Sequence, residues 1–210
     1  METGKVSKKL LTRLPQYLTY IKSLPPCCEN ISATKMAKDL GLGDVLVRKD
    51  LAKISDGGRR KLGYVRSELM RDIELFLDVN RTMEAVVVGA GKLGQALLDY
   101  SGFEAAGLRI SAGFDIHISK RHSDGGKTIY PMNRLKRYCE ENGVSIAVLT
   151  VPADSAQEVC DTLVACGIRA IWNFAPTHLN VPEYVAVQSE NLAISLTALR
   201  MQLKTREISH

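Results

Sequence analysis

No apolar run in the chain is long enough to cross a bilayer. The start, METGKVSKKL, is basic but has no apolar core or small-residue cleavage site behind it, so no secretory leader is expected. Cysteine is scarce: Cys27, Cys28, Cys139, Cys160 and Cys166 form no C-x-x-C, and no His-x-x-x-His accompanies them. An odd count without ligand spacing excludes a disulfide framework and a structural zinc site, and no metal is expected. The adjacent thiols Cys27 and Cys28 follow Pro25-Pro26 and read as ordinary loop cysteines. Internal repeats and low-complexity stretches are also missing. A soluble cytoplasmic protein of one or two domains is left.

What is present is unevenly charged. The chain carries +5 overall. Residues 1–66 hold 14 Lys/Arg against 6 Asp/Glu, while residues 67–210 hold 14 against 17. A basic N-terminal third beside a mildly acidic remainder points to a polyanionic partner for the first part.

Periodicity organises that first part into helices. Ser7 to Ser23 places Leu10, Leu14, Leu18 and Ile21 on one face, with Pro15 expected to kink or break it. Ser32 is a good N-cap for a helix over 33–40, stopped by Gly41. Asp44 is expected to cap a second helix over 45–54. Two short helices around a glycine turn make a helix-turn-helix. Ser55-Asp56-Gly57-Gly58 turns the chain into Arg59-Arg60-Lys61 and Leu62-Gly63-Tyr64-Val65, the place and composition of a basic wing. Ser67 is expected to cap a helix over 68–79, with Leu69, Ile73, Phe76 and Leu77 inward. In the second helix, Val47, Arg48 and Lys49 are the candidate base and phosphate contacts in the major groove, joined by Arg59, Arg60 and Lys61 on the wing. The expected partner is double-stranded DNA.

After residue 81 the pattern changes. Strands are expected at 85–88, 108–115, 146–151 and 170–174, with another near 184–187. Helices are expected at 93–100, 131–142 and 154–166. That alternation predicts a doubly wound parallel sheet. Gly89-Ala90-Gly91-Lys92-Leu93-Gly94 is a G-x-G-x-x-G that follows a strand and opens a helix, and Asp115 ends the next strand. In that context the motif predicts a dinucleotide site. Gly89 makes the turn, Gly91 admits the pyrophosphate, Gly94 packs helix on strand, and Asp115 takes the adenosine ribose. His117, Lys120, Arg121 and His122 lie just beyond. They could neutralise a 2′-phosphate, but Asp115 would repel one, so NADH/NAD+ is expected over NADP. Thr150-Val151-Pro152 and Asn173-Phe174-Ala175-Pro176 follow later strands and are candidates for the nicotinamide end. No candidate catalytic residue accompanies them. His178 is the one histidine in those loops, and no second catalytic domain follows. Residues from about 191 to 204 read as a last amphipathic helix with Leu192, Leu196, Leu199 and Leu203.

Together these motifs resemble the Rex family of redox-sensing transcriptional repressors. The resemblance rests on Arg13-Leu14-Pro15 with Tyr17, Val47-Arg48-Lys49-Asp50-Leu51, Gly63-Tyr64, the glycine fingerprint with Tyr100, and Phe114-Asp115. It continues through Leu149-Thr150-Val151-Pro152, Asn173-Phe174-Ala175-Pro176 and Val181-Pro182. It spans nearly the whole chain. It implies a winged-helix DNA-binding domain at 1–80, a Rossmann domain at 81–188 and a domain-swapped helix at 189–210. It further implies a homodimer on inverted-repeat operators, released by NADH, with Arg13, Tyr100 and the swapped helix coupling the two functions. Four positions depart from the family pattern. Asn191 stands where an aspartate is usual, with Glu190 displaced by one residue. His117 and His122 replace an acidic residue and a glycine, and Lys61 replaces a wing glycine. A DNA-binding paralogue with weakened redox response, and a small NAD(P)-dependent oxidoreductase with a basic accessory domain, are the competing expectations.

Overall fold

A computed structural model describes residues 7–59, 62–79, 81–118 and 121–208. They form two compact units that divide between Arg81 and Thr82.

The first unit contains α1 (Lys8–Ser23), β1 (Asn30–Ile31), α2 (Ala33–Asp39), α3 (Asp44–Leu51), β2 (Tyr64–Val65) and α4 (Arg66–Phe76). Its core is the apolar stripe of α1 (Leu10, Leu14, Tyr17, Leu18 and Ile21), closed by Met36, Val47, Leu51, Leu69 and Ile73. That stripe explains why α1 runs unbroken through Pro15. The proline removes one N–H, but it lies on the exposed face, where water can satisfy the freed carbonyl. Ser32 caps α2 as expected, accepting from the Lys35 N–H at 3.4 Å, and Gly41 ends the turn at φ +65°.

Two expected caps fail. Gly43 takes the extended cap position of α3, and Asp44 enters the first turn, where its carboxylate accepts from Arg48. Likewise β2 runs straight into α4, so Val65 is the cap residue and Ser67 lies inside the first turn. α3 also stops short of the expected residue 54, because Lys53 and Ile54 bond three residues back, a tighter turn than a helix makes. Phe76, expected inward, is exposed at the end of α4. β2 pairs antiparallel with β1, and Arg59 and Gly63 exchange backbone hydrogen bonds at the base of a short wing.

The second unit holds six parallel strands in the order β5-β4-β3-β6-β7-β8. They are β3 (Met83–Val88), β4 (Leu108–Asp115), β5 (Ile129–Pro131), β6 (Ile146–Leu149), β7 (Ala170–Asn173) and β8 (Ala186–Ser189). Successive strands spread outward from β3, first to one side and then to the other, the Rossmann arrangement. β3 shows why both faces need cover. Val86 and Val88 pack into one core with α6 (Leu135–Asn142) and α7 (Ala153–Ala165), while Ala85 and Val87 enter the other with α5 (Lys92–Asp99). The expected helix over 131–142 begins only at Met132, as a 3-10 turn, because Pro131 closes β5 beside Asp115. β6 ends at Leu149, which leaves Thr150-Val151-Pro152 as a loop at the carboxyl edge. α8 (Leu192–Ile208) ends the described chain. Leu192, Ile194, Leu196, Leu199, Met201 and Leu203 on it are all exposed.

Candidate functional site

The glycine turn sits at the topological switch point between β3 and β6, where ligands bind in such sheets. Gly89 adopts φ +98°, and its N–H donates to the Phe114 carbonyl at 2.8 Å. The Thr150 hydroxyl closes the turn from the β6 side, donating to the Gly89 carbonyl at 2.6 Å. Gly94 is buried against this turn. A Cβ there would run into the Gly89 carbonyl and come within 2.8 Å of the Thr150 hydroxyl. Gly91 differs: a Cβ would meet nothing within 4 Å. It is exposed at the N-terminus of α5, which no side chain caps, so first-turn N–H groups face open space. Helix packing thus dictates Gly94, and the room for a pyrophosphate lies at Gly91. Lys92 and Leu93 beside it are exposed, and Ala90 is half-buried.

Asp115 ends β4 next to this turn. Its carboxylate accepts from the Ala90 N–H at 2.6 Å and the His117 N–H at 2.8 Å. The acid expected to take the ribose therefore also braces the turn, with lone pairs left over for hydroxyl donors. His117, Arg121 and His122, which follow it in sequence, are exposed, and Lys120 lies outside the described residues.

The other two loops reach the same edge. Val151 is half-buried and Pro152 exposed. Asn173 is corrected as a ligand contact. It is wholly buried, its amide donates to the Thr177 carbonyl at 2.9 Å, and its oxygen accepts from the Ala175 N–H at 2.9 Å. It shapes the loop that presents Phe174, which packs edge-to-face on Trp172 at 4.6 Å between ring centres. Tyr100, just past α5, is exposed and packs on Phe103.

On the first unit, Val47 is corrected as a DNA contact: it is fully buried beneath α3. Arg48, Lys49 and Arg59 are exposed, whereas Arg60 and Lys61 lie outside the described residues. Arg48 is held out along the helix by Asp44 at 3.0 Å and by the Thr34 hydroxyl at 2.9 Å. With Ser32, Thr34, Arg59 and Tyr64 it lines a groove between the helix-turn-helix and the wing.

Arg13 is not a free cation awaiting a partner. It grips Asp50 of α3 with two hydrogen bonds, at 2.6 and 2.9 Å, and Tyr17 donates to the same carboxylate at 2.8 Å. Sequence reasoning missed Asp50 in this role, because the pair lies 37 positions apart. Burial alone would raise the Asp50 carboxyl, but the bonds from Arg13 and Tyr17 outweigh it and hold the group below its usual value. Burial is also the main reason the Tyr17 hydroxyl is pushed up to about 12. A carboxyl lowered on folding contributes stability above its unfolded value, near 3.8, and loses it as pH falls through the folded value. Thermal melting should therefore fall as pH drops below about 4. Asp50→Asn should melt lower at pH 7 and show a shallower fall, and equal slopes would show that the network contributes nothing.

Among the described residues no cluster of His, Cys, Asp and Glu could hold a metal ion, and no helix is long and apolar enough to cross a membrane.

Comparison with known proteins bears on both units. Residues 80–177 match the family model of the CoA binding domain, and residues 5–52 match that of the putative DNA-binding protein N-terminus. A redox-sensing transcriptional repressor Rex of Porphyromonas gingivalis is 37% identical over 203 residues, covering 96% of this chain and 93% of the relative. One of Treponema denticola is 39% identical, covering 93% and 94%. Among solved structures, RSP in complex with β-NAD+ and operator DNA superposes with a TM-score of 0.87 at 30% identity, covering 98% of this chain and 96% of that one. RSP with β-NADH gives 0.86 at 29% identity, covering 98% of each.

Proposed function

The chain belongs to the Rex family of redox-sensing transcriptional repressors, and we propose that it binds an inverted-repeat operator as a homodimer and lets go when NADH occupies the second unit. The observation that supports this best is that the open Gly91 turn and the Arg48 surface lie on one polypeptide. The cytoplasm is the compartment this reading assigns to it.

The residues of the glycine turn suit a dinucleotide. Gly91 leaves the space, the start of α5 supplies N–H donors and a partial positive charge for the pyrophosphate, and Asp115 accepts from the ribose. Thr150, Val151, Pro152 and Phe174 border the nicotinamide end in this reading. When bound, the group contributes a ring whose charge and planarity differ between its two oxidation states. It can shift the repressor only by binding the operator-competent and released forms with unequal affinity. In this reading the chain acts as a sensor, and His178, an exposed loop residue, takes no catalytic role.

On the DNA side, Arg48 reads or neutralises from the recognition helix, while Lys49 and Arg59 hold phosphates, with Arg60 and Lys61 beside them in sequence. Arg48→Ala should weaken operator binding about 10- to 100-fold, in line with about 1–3 kcal/mol for one good base contact. Its ion pair with Asp44 is exposed and worth little, so the melting temperature should hardly move. Fluorescence anisotropy of a labelled duplex checks this, and unchanged affinity would remove Arg48 from the interface. The half-sites, one per subunit, follow from two-fold symmetry.

A further inference from the structure

Three features of the second unit that the sequence treats separately converge on one side chain. Tyr100 and Phe174 stand at opposite ends of a chain of four rings in edge-to-face contact. Tyr100 meets Phe103 at 4.8 Å, Phe103 meets Trp172 at 5.6 Å, and Trp172 meets Phe174 at 4.6 Å. Gly102 keeps the first of these contacts possible, since a Cβ there would run into the Tyr100 ring. Trp172 alone among the four carries an indole N–H. It donates 3.2 Å to Oε1 of Glu190, the first residue after β8. The Glu190 N–H in turn donates to the Asn173 carbonyl at 2.8 Å. Trp172 is the chain's single tryptophan.

The neighbouring residue is engaged elsewhere. Asn191 accepts from the Ile194 N–H at 3.0 Å and so caps the first turn of α8. Expected as a coupling group, it is spent on its own helix. The carboxylate at the base of α8 is Glu190, and its nearer partner is the indole, with the Gln188 amide donating to the same oxygen from 3.5 Å.

We propose that Trp172 and Glu190 form a latch that fixes how α8 leaves the sheet and so sets how strongly nucleotide binding is transmitted to operator affinity. This rests on the repressor reading above. A shift of Phe174 as the pocket fills moves the indole it packs against, and the indole carries the acid that holds the start of α8. The helix exit then differs between filled and empty states. Interdigitated rings have few intermediate packings, which suits a two-position element.

The experiment uses the full-length protein and four variants: Glu190→Ala, Glu190→Gln, Trp172→Phe and the Glu190→Ala/Trp172→Phe double. The coupling readout is the fold-change in operator affinity on adding NADH. Calorimetry gives NADH affinity, and sedimentation gives the assembly state. Glu190→Ala and Trp172→Phe should each cut the fold-change by about tenfold, with NADH affinity within about threefold of the parent and the assembly unchanged. The double variant should lose no more than either single change. Glu190→Gln should keep most of the response, because an amide oxygen still accepts from the indole. Full response in an assembled Glu190→Ala protein overturns the latch, and that variant decides if Trp172→Phe fails to fold. A parallel loss of NADH affinity, or dissociation of Glu190→Ala, reduces the pair to a structural contact and equally overturns it. If the unaltered protein ignores NADH while still gripping its operator, the repressor reading itself falls.

Discussion

Gly91→Val should lose NADH binding by at least about 100-fold while the protein folds and melts normally. The isopropyl group enters open space, since a Cβ at Gly91 meets no protein atom within 4 Å. Gly91 also has an ordinary φ of −69°, so the backbone tolerates a side chain there. The cost falls on the ligand alone. A branched side chain fills the volume a pyrophosphate needs and separates it from the N–H groups that open α5. The same change at Gly94 behaves differently. Its Cβ would overlap the Gly89 carbonyl, which cannot yield without breaking the Thr150 contact. Gly94→Val should therefore destabilise the whole second unit by several kcal/mol, seen as a lowered melting temperature without ligand. Calorimetric NADH titration of a well-folded Gly91→Val protein that gave parental affinity would refute the site.

Removing residues 191–210 should convert the protein to a monomer and weaken operator binding by at least about 100-fold. Six large apolar side chains on α8 stand 58–68% exposed. Covering what remains exposed is worth on the order of 1 kcal/mol or more each. A second copy is the occupant that a two-fold repressor supplies. Without it, each winged helix meets only a half-site, and the gain from tethering two modules disappears. The second unit should still bind NADH through the glycine turn, which lies in a different segment. Sedimentation and anisotropy measure the two losses. A truncated protein that stayed dimeric would place the interface elsewhere.

The two units were legible in sequence to different depths. The dinucleotide turn was readable because its constraints are local. Glycine at 89 answers to a left-handed turn, glycine at 94 to close packing and glycine at 91 to the room a ligand needs, all within six residues, and the structure puts them and the acid that ends the next strand at one edge. Leucine spacing likewise located α1 and its core. Hydrophobic pattern could not show which side of a basic helix Val47 faces, since that depends on where α1 crosses it. Nor could sequence pair Arg13 with Asp50 across 37 positions, or Trp172 with Glu190 across 18. β5 was lost because three residues, the last of them a proline, carry too little pattern. Helix starts slipped where an extended Gly43 or Val65 took the cap that a neighbouring polar side chain seemed to offer.

The central claim is that occupancy of the Gly91 turn decides whether Arg48 and its neighbours stay on DNA. Operator affinity of the purified full-length protein, measured against a labelled inverted repeat at fixed salt, tests it most directly. The titrations are run with no nucleotide, with NAD+ and with NADH. The account predicts tight binding in the first two and a loss of about tenfold or more in the third, a loss that Gly91→Val abolishes. One affinity under all three conditions, from protein shown by calorimetry to have bound NADH, would contradict it.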